Sequence, residues 1–177
     1  FIFYMIGISL FAFGFIDYAL VVMHLSRQSL FSAEVLPLIY AGAMIIDAIA
    51  ALFFGWLFDK KGTLALVLST ALTVPFPFLI FGFHSTFPVL IGIATWGVGM
   101  GAQESILKAA VATIVPKQSR ATGYGIFECS FGLFWFLGSW LLGALYDCNL
   151  TWMMVVSIIA QLGAIPLYVF SHRERQK

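Results

Sequence analysis

Gly55-Trp56-Leu57-Phe58-Asp59-Lys60-Lys61-Gly62 is a charged hinge between two long apolar runs. The run before it extends from Val35 to Phe58, and the run after it from Leu64 to Phe83. Each reaches the roughly 20 apolar residues that a helix needs to cross a bilayer. Gly55 permits close approach of a neighbouring helix, and Gly62 supplies the backbone freedom to reverse the chain. Asp59 suits a helix N-terminus, where a carboxylate is stabilised. Lys60 and Lys61 suit the cytoplasmic face of a membrane. The stretch predicts a short cytoplasmic loop joining two spanning helices.

Working outward, four further apolar runs cover about 1–25, 87–115, 121–145 and 150–170, beside 35–58 and 64–83. Pro37 falls in a first turn, where its missing N–H does no harm, while Pro75 and Pro77 predict a kink in the third run. The runs are too long for barrel strands, which need only about 9 to 11 residues. Helices then satisfy every backbone group in lipid. The fold class expected is an all-α membrane protein, a single bundle of six transmembrane helices over residues 1–177. Composition agrees: 62% of residues are apolar and 10% charged, against roughly 25% charged in soluble domains, and mean hydropathy is +1.01. A net charge of +1 argues against nucleic acid as a partner, because phosphate binding needs a basic face.

Orientation follows from the bases. Lys60 and Lys61 lie between runs two and three, Lys108, Lys117 and Arg120 between four and five, and Arg173, Arg175 and Lys177 in the tail. Only Arg27 falls on the other side, so both chain ends are expected in the cytoplasm, in the inner or plasma membrane. Three runs followed by three runs suit an inverted repeat, since an odd triplet returns from the opposite side. The chain opens at Phe1, inside an apolar run and without a basic leader or cleavage site, and reads as a piece of something longer.

The hinge resembles the loop signature of the major facilitator superfamily, G-x-L-a-D-r-x-G-r-k. Gly55, Leu57, Asp59, Lys60 and Gly62 fit, while Thr63 and Leu64 stand where two basic residues are usual. Pro116-x3-Arg120-Ala-Thr-Gly-Tyr-Gly-Ile-Phe and the run Gly132, Gly138, Gly143-Ala-Leu-Tyr-Asp147 resemble later parts of the same family's carboxy-terminal half. The resemblance implies one half of a twelve-helix secondary transporter that moves a small organic solute by alternating access. Its partners would be membrane lipid, the solute, and a missing amino-terminal half or a second copy. Gly55, Asp59, Lys60 and Gly62 would form a latch that holds one access state. The alternative is a half-size, self-associating membrane protein or scaffold without transport.

Charges inside spanning helices are costly and mark functional candidates. Asp47 stands about 18 Å from either end of its run at 1.5 Å per residue, too deep to snorkel, and is a candidate for substrate binding or proton coupling. Asp17 and His24, seven residues apart, share a helical face and suggest a relay or an interfacial pair. Glu104 and Lys108 are an i, i+4 pair in the favourable order. With Glu128 and Arg120 they predict a cytoplasmic-side charge cluster. Gly97 and Gly101 make a G-x3-G step suited to close helix packing. No Walker loop, H-E-x-x-H or G-x-S-x-G occurs, so neither an enzyme nor a cofactor protein is expected. His24, His84 and His172 are scattered, and Cys129 and Cys148 are far apart. No metal site and no disulfide are expected.

Overall fold

The computed structural model describes residues 2–175, without the side chains of residues 2, 114 and 172–175. The tail bases Arg173, Arg175 and Lys177 lie outside the described side chains. Eight α-helices run in the described residues: α1 Ile2–Gly14, α2 Tyr18–Gln28, α3 Leu36–Lys61, α4 Leu64–Thr73, α5 Phe76–Phe81, α6 Thr86–Ile114, α7 Arg120–Cys148 and α8 Leu150–Arg175. A 3-10 turn at Lys117–Ser119 precedes α7.

These eight helices fall into six long segments. Segments Phe3–Gln28, Leu36–Lys61, Leu64–Phe81, Lys117–Cys148 and Leu150–Ser171 are each long and apolar enough to cross a membrane. The remaining one, α6, has 29 residues. Its glycines and its polar turn Gln103-Glu104-Ser105 dilute its hydropathy, not its length. It packs against α3 more extensively than any other pair of helices pack.

Two of the six expected helices are broken. The first run, expected to be continuous over about 1–25, parts at Phe15, Ile16 and Asp17 and resumes to Gln28. Hydropathy does not see this break because Phe15 and Ile16 are apolar. The freed carbonyls find donors on other spans: Gly14 O accepts from Ser157 Oγ at 2.5 Å and Ile16 O from Trp96 Nε1 at 2.9 Å. Unpaired, each buried carbonyl would cost about 1–3 kcal/mol. Gln161 Nε2 donates to Ser157 Oγ at 3.2 Å, and Thr73 Oγ1 to Gln161 Oε1 at 3.4 Å, which ties α8 to α4 and to the break. The third run parts at Val74 and Pro75, where proline removes the N–H donor and Pro77 starts the next turn.

Glycine sets how closely α6 approaches its neighbours. A Cβ at Gly97 would stand 2.7 Å from the Ala43 carbonyl oxygen, and one at Gly101 would overlap the Asp47 carbonyl. The G-x3-G step therefore seats α3 directly on α6. Gly99 faces the other way, toward Thr73 and the Phe15 ring. Spans α3 and α7 are the least covered by the rest of the bundle.

Candidate functional site

Asp47 lies midway along α3, half-buried, with carboxylate Oδ1 buried and without a hydrogen-bond partner. Gly101 explains the placement. A Cβ there would lie 2.7 Å from Oδ1 and 2.9 Å from the Ala51 nitrogen, so only glycine leaves room for the acid against α6. An acceptor held in this way remains available to a proton or to a donor on a ligand.

Further along α6, a cavity of about 150 Å³ opens toward α7, lined by Gln103, Glu104, Lys108, Glu128, Phe131 and Trp135 among others. The structure thus gathers three members of the expected charge cluster, but not as ion pairs. Among the described residues the ion pair within 4.0 Å is Arg27–Asp147, and Glu104 joins neither Lys108 nor Glu128. Favourable i, i+4 order contributes only a few tenths of a kcal/mol, too little to hold exposed chains together. Arg120 leaves the cluster altogether. Its Nη2 donates to Ala112 O at 2.8 Å, closing a carbonyl that the end of α6 leaves without an intrahelical partner. Gln103 went unnoticed in the sequence. It is 2% exposed, lines the cavity, and has no partner on either amide atom. Its one legible signal was a polar residue beside Glu104 in an apolar run.

Aromatic rings link the cavity to the helix break. Phe127, Phe131, Trp135, Phe15, Trp96, Tyr18 and Tyr40 succeed one another with centroids 4.7 to 6.0 Å apart. This ladder joins α7, the broken first span, α6 and α3.

Asp17 and His24, expected as a relay or an interfacial pair, have different partners. Asp17 is the N-cap of α2, accepting from the Ala19 N–H at 3.4 Å, because the helix starts anew after it. His24, buried, meets Tyr146 Oη through Nδ1 at 3.0 Å and packs against the Phe81 ring, tilted by 51°. Around it Arg27 binds Asp147 at 3.2 Å and lies over the Tyr146 ring, and His84 meets Gln28 at 2.6 Å. One end of the bundle is thus tied across α2, the α5–α6 turn and the end of α7. Asn149 Oδ1 accepts from the Trp152 N–H at 3.2 Å and starts α8.

At the hinge, Gly62 has φ 58° and ψ −139°, and its N–H closes α3 onto Phe58 O at 2.7 Å. This backbone region belongs to glycine. Asp59 lies in the last turn of α3, exposed, and not at a helix N-terminus. Lys60 Nζ lies 4.1 Å from the centre of the Trp56 ring. Gly55 proves less demanding than expected: a Cβ there would meet Ser105 Cβ at 3.8 Å, an ordinary contact. Cys129 and Cys148 are free and exposed.

Three relatives match 152 residues at 34% identity: an uncharacterized protein of Mycobacterium bovis and uncharacterized proteins from two strains of Mycobacterium tuberculosis. The match covers 86% of this chain and 37% of each relative, so the chain spans little more than a third of the curated relatives' length. The model of the Major Facilitator Superfamily matches residues 2–177. An integral, multi-pass bundle whose every span falls inside that match belongs to the major facilitator superfamily.

Proposed function

We propose that the chain is one six-helix half of a secondary transporter that moves a small organic solute by alternating access, coupled to protons through Asp47. The observation that carries this reading is the unpartnered carboxylate oxygen at the middle of a spanning helix. A carboxylate at mid-membrane is expensive unless it serves a ligand or a proton. Membership in a family of membrane transporters supports the same reading. The face carrying Asp47, Gln103, Glu104 and Glu128 would meet the other half, or a second copy, across the solute. Both ends of the chain would face the cytoplasm, with the Gly55–Gly62 loop as a latch on that side.

The test uses the intact protein in sealed vesicles with a pH-sensitive dye inside and an imposed proton gradient. Solute-dependent proton entry is expected for the native protein and lost in Asp47→Asn, while solute counterflow persists. Proton entry that is unchanged in Asp47→Asn removes the coupling role.

A further inference from the structure

We infer that the solute is a compact hydrophobic organic cation, an aryl ring carrying a protonated amine, held in the cavity between α6 and α7. This rests on the transporter reading above.

Charge comes first. Away from the helix ends, the charged side chains inside the spans are Asp47, Glu104, Glu128 and Lys108, three acids to one base. Two of the acids, Glu104 and Glu128, line the cavity with Lys108, and neither is within ion-pairing distance of it. The cavity therefore carries an excess of negative charge that its own lysine does not quench.

Size and surface come next. A volume of about 150 Å³ matches cavities that accept a benzene-sized group. Phe127, Phe131 and Trp135 supply its aromatic wall, and such faces attract cations as well as rings.

The independent pointer to a ligand is Gln103. A buried amide with neither Nε2 nor Oε1 paired is costly unless a partner arrives. Its carbonyl accepts an ammonium N–H while Glu104 and Glu128 balance the charge. A quaternary ammonium cannot donate that bond, so a protonated primary or secondary amine fits better.

The full-length protein in neutral phosphatidylcholine nanodiscs is titrated with three near-isosteric probes: 2-phenylethylammonium, 2-phenylethanol and 3-phenylpropionate. The cation should bind at least about tenfold tighter than the alcohol, the margin of one charge-assisted contact, and the carboxylate should not compete. Glu104→Gln with Glu128→Gln should erase that margin, and Lys108→Met should widen it. The opposite sign of the lysine variant distinguishes a binding effect from misfolding. Preference for 3-phenylpropionate, or a cation preference that survives in the double variant, overturns the assignment. Glutamate-dependent binding of the cation without counterflow in vesicles refutes transport and leaves the cation site standing. Counterflow of phenylpropionate refutes the cation and leaves transport standing.

Discussion

Replacing Gly97 by alanine tests whether the glycines of α6 hold α3 in place. The added Cβ would stand 2.7 Å from the Ala43 carbonyl oxygen, about 0.7 Å inside the 3.4 Å at which ordinary contact begins. The obstructing atom is backbone, so no side chain can swing away and the helices must part. Overpacking of this kind costs about 1–3 kcal/mol. At about 2–4 °C per kcal/mol for a domain of this size, melting should fall by about 2–12 °C. Gly101→Ala, which meets both the carbonyl of Asp47 and the Ala51 nitrogen, should fall at least as far. The controls are Gly42→Ala and Gly132→Ala, where nothing lies within 4 Å, and Gly55→Ala, where the nearest atom is at 3.8 Å. These should melt as the native protein or slightly higher, since alanine in a helix is favoured over glycine by about 0.5–1 kcal/mol. Scanning fluorimetry in a fixed detergent reads all five variants. Equal melting of Gly97→Ala and Gly132→Ala would refute the close crossing of α3 and α6.

Other outcomes follow from single geometries. Gly62→Ala should destabilise by about 1–3 kcal/mol because φ 58° with ψ −139° is closed to residues with a Cβ. Gly62→Asn should cost as much, since this ψ lies outside the left-handed helical region that asparagine tolerates; thermal melts decide both. Ser157→Ala leaves Gly14 O without its donor, so a loss of about 1–3 kcal/mol is expected, with faster amide exchange around residues 14–17. Should exchange there stay unchanged, the serine is not what closes the break. Asp59→Asn should slow transport by the intact protein in vesicles without lowering its abundance on immunoblots. An unchanged rate would exclude the latch.

The helical spans were legible in advance because hydropathy is additive along a helix. Runs expected at 35–58, 87–115 and 150–170 became Leu36–Lys61, Thr86–Ile114 and Leu150–Arg175. Pro75 announced its own break. Gly14-Phe15-Ile16-Asp17 did not, for its two central residues are as apolar as a helix interior. What stabilises the interruption is Ser157 and Trp96, 143 and 80 residues along the chain from their acceptors. Asp47 and the G-x3-G step were visible as anomalies in apolar runs. That the acid rests on the second of those glycines was not visible. Glu104 and Lys108 show the reverse failure. Their spacing promised a pair, yet each keeps its own exposed position at the cavity rim, and Arg120 closes a helix end instead.

Taken alone, the chain's residues determined its solvent and its class, since each depends on apolar content summed over neighbours in sequence. Which side chains meet was decided only by tertiary structure. His24 finds Tyr146 across 122 residues, and His84 finds Gln28 across 56. Such meetings depend on how far helices approach and at which turn they cross. Gly97 and Gly101 set the approach of α6 to α3, and the break after Gly14 sets the direction of α2. A spacing along one helix carries no information about that second coordinate.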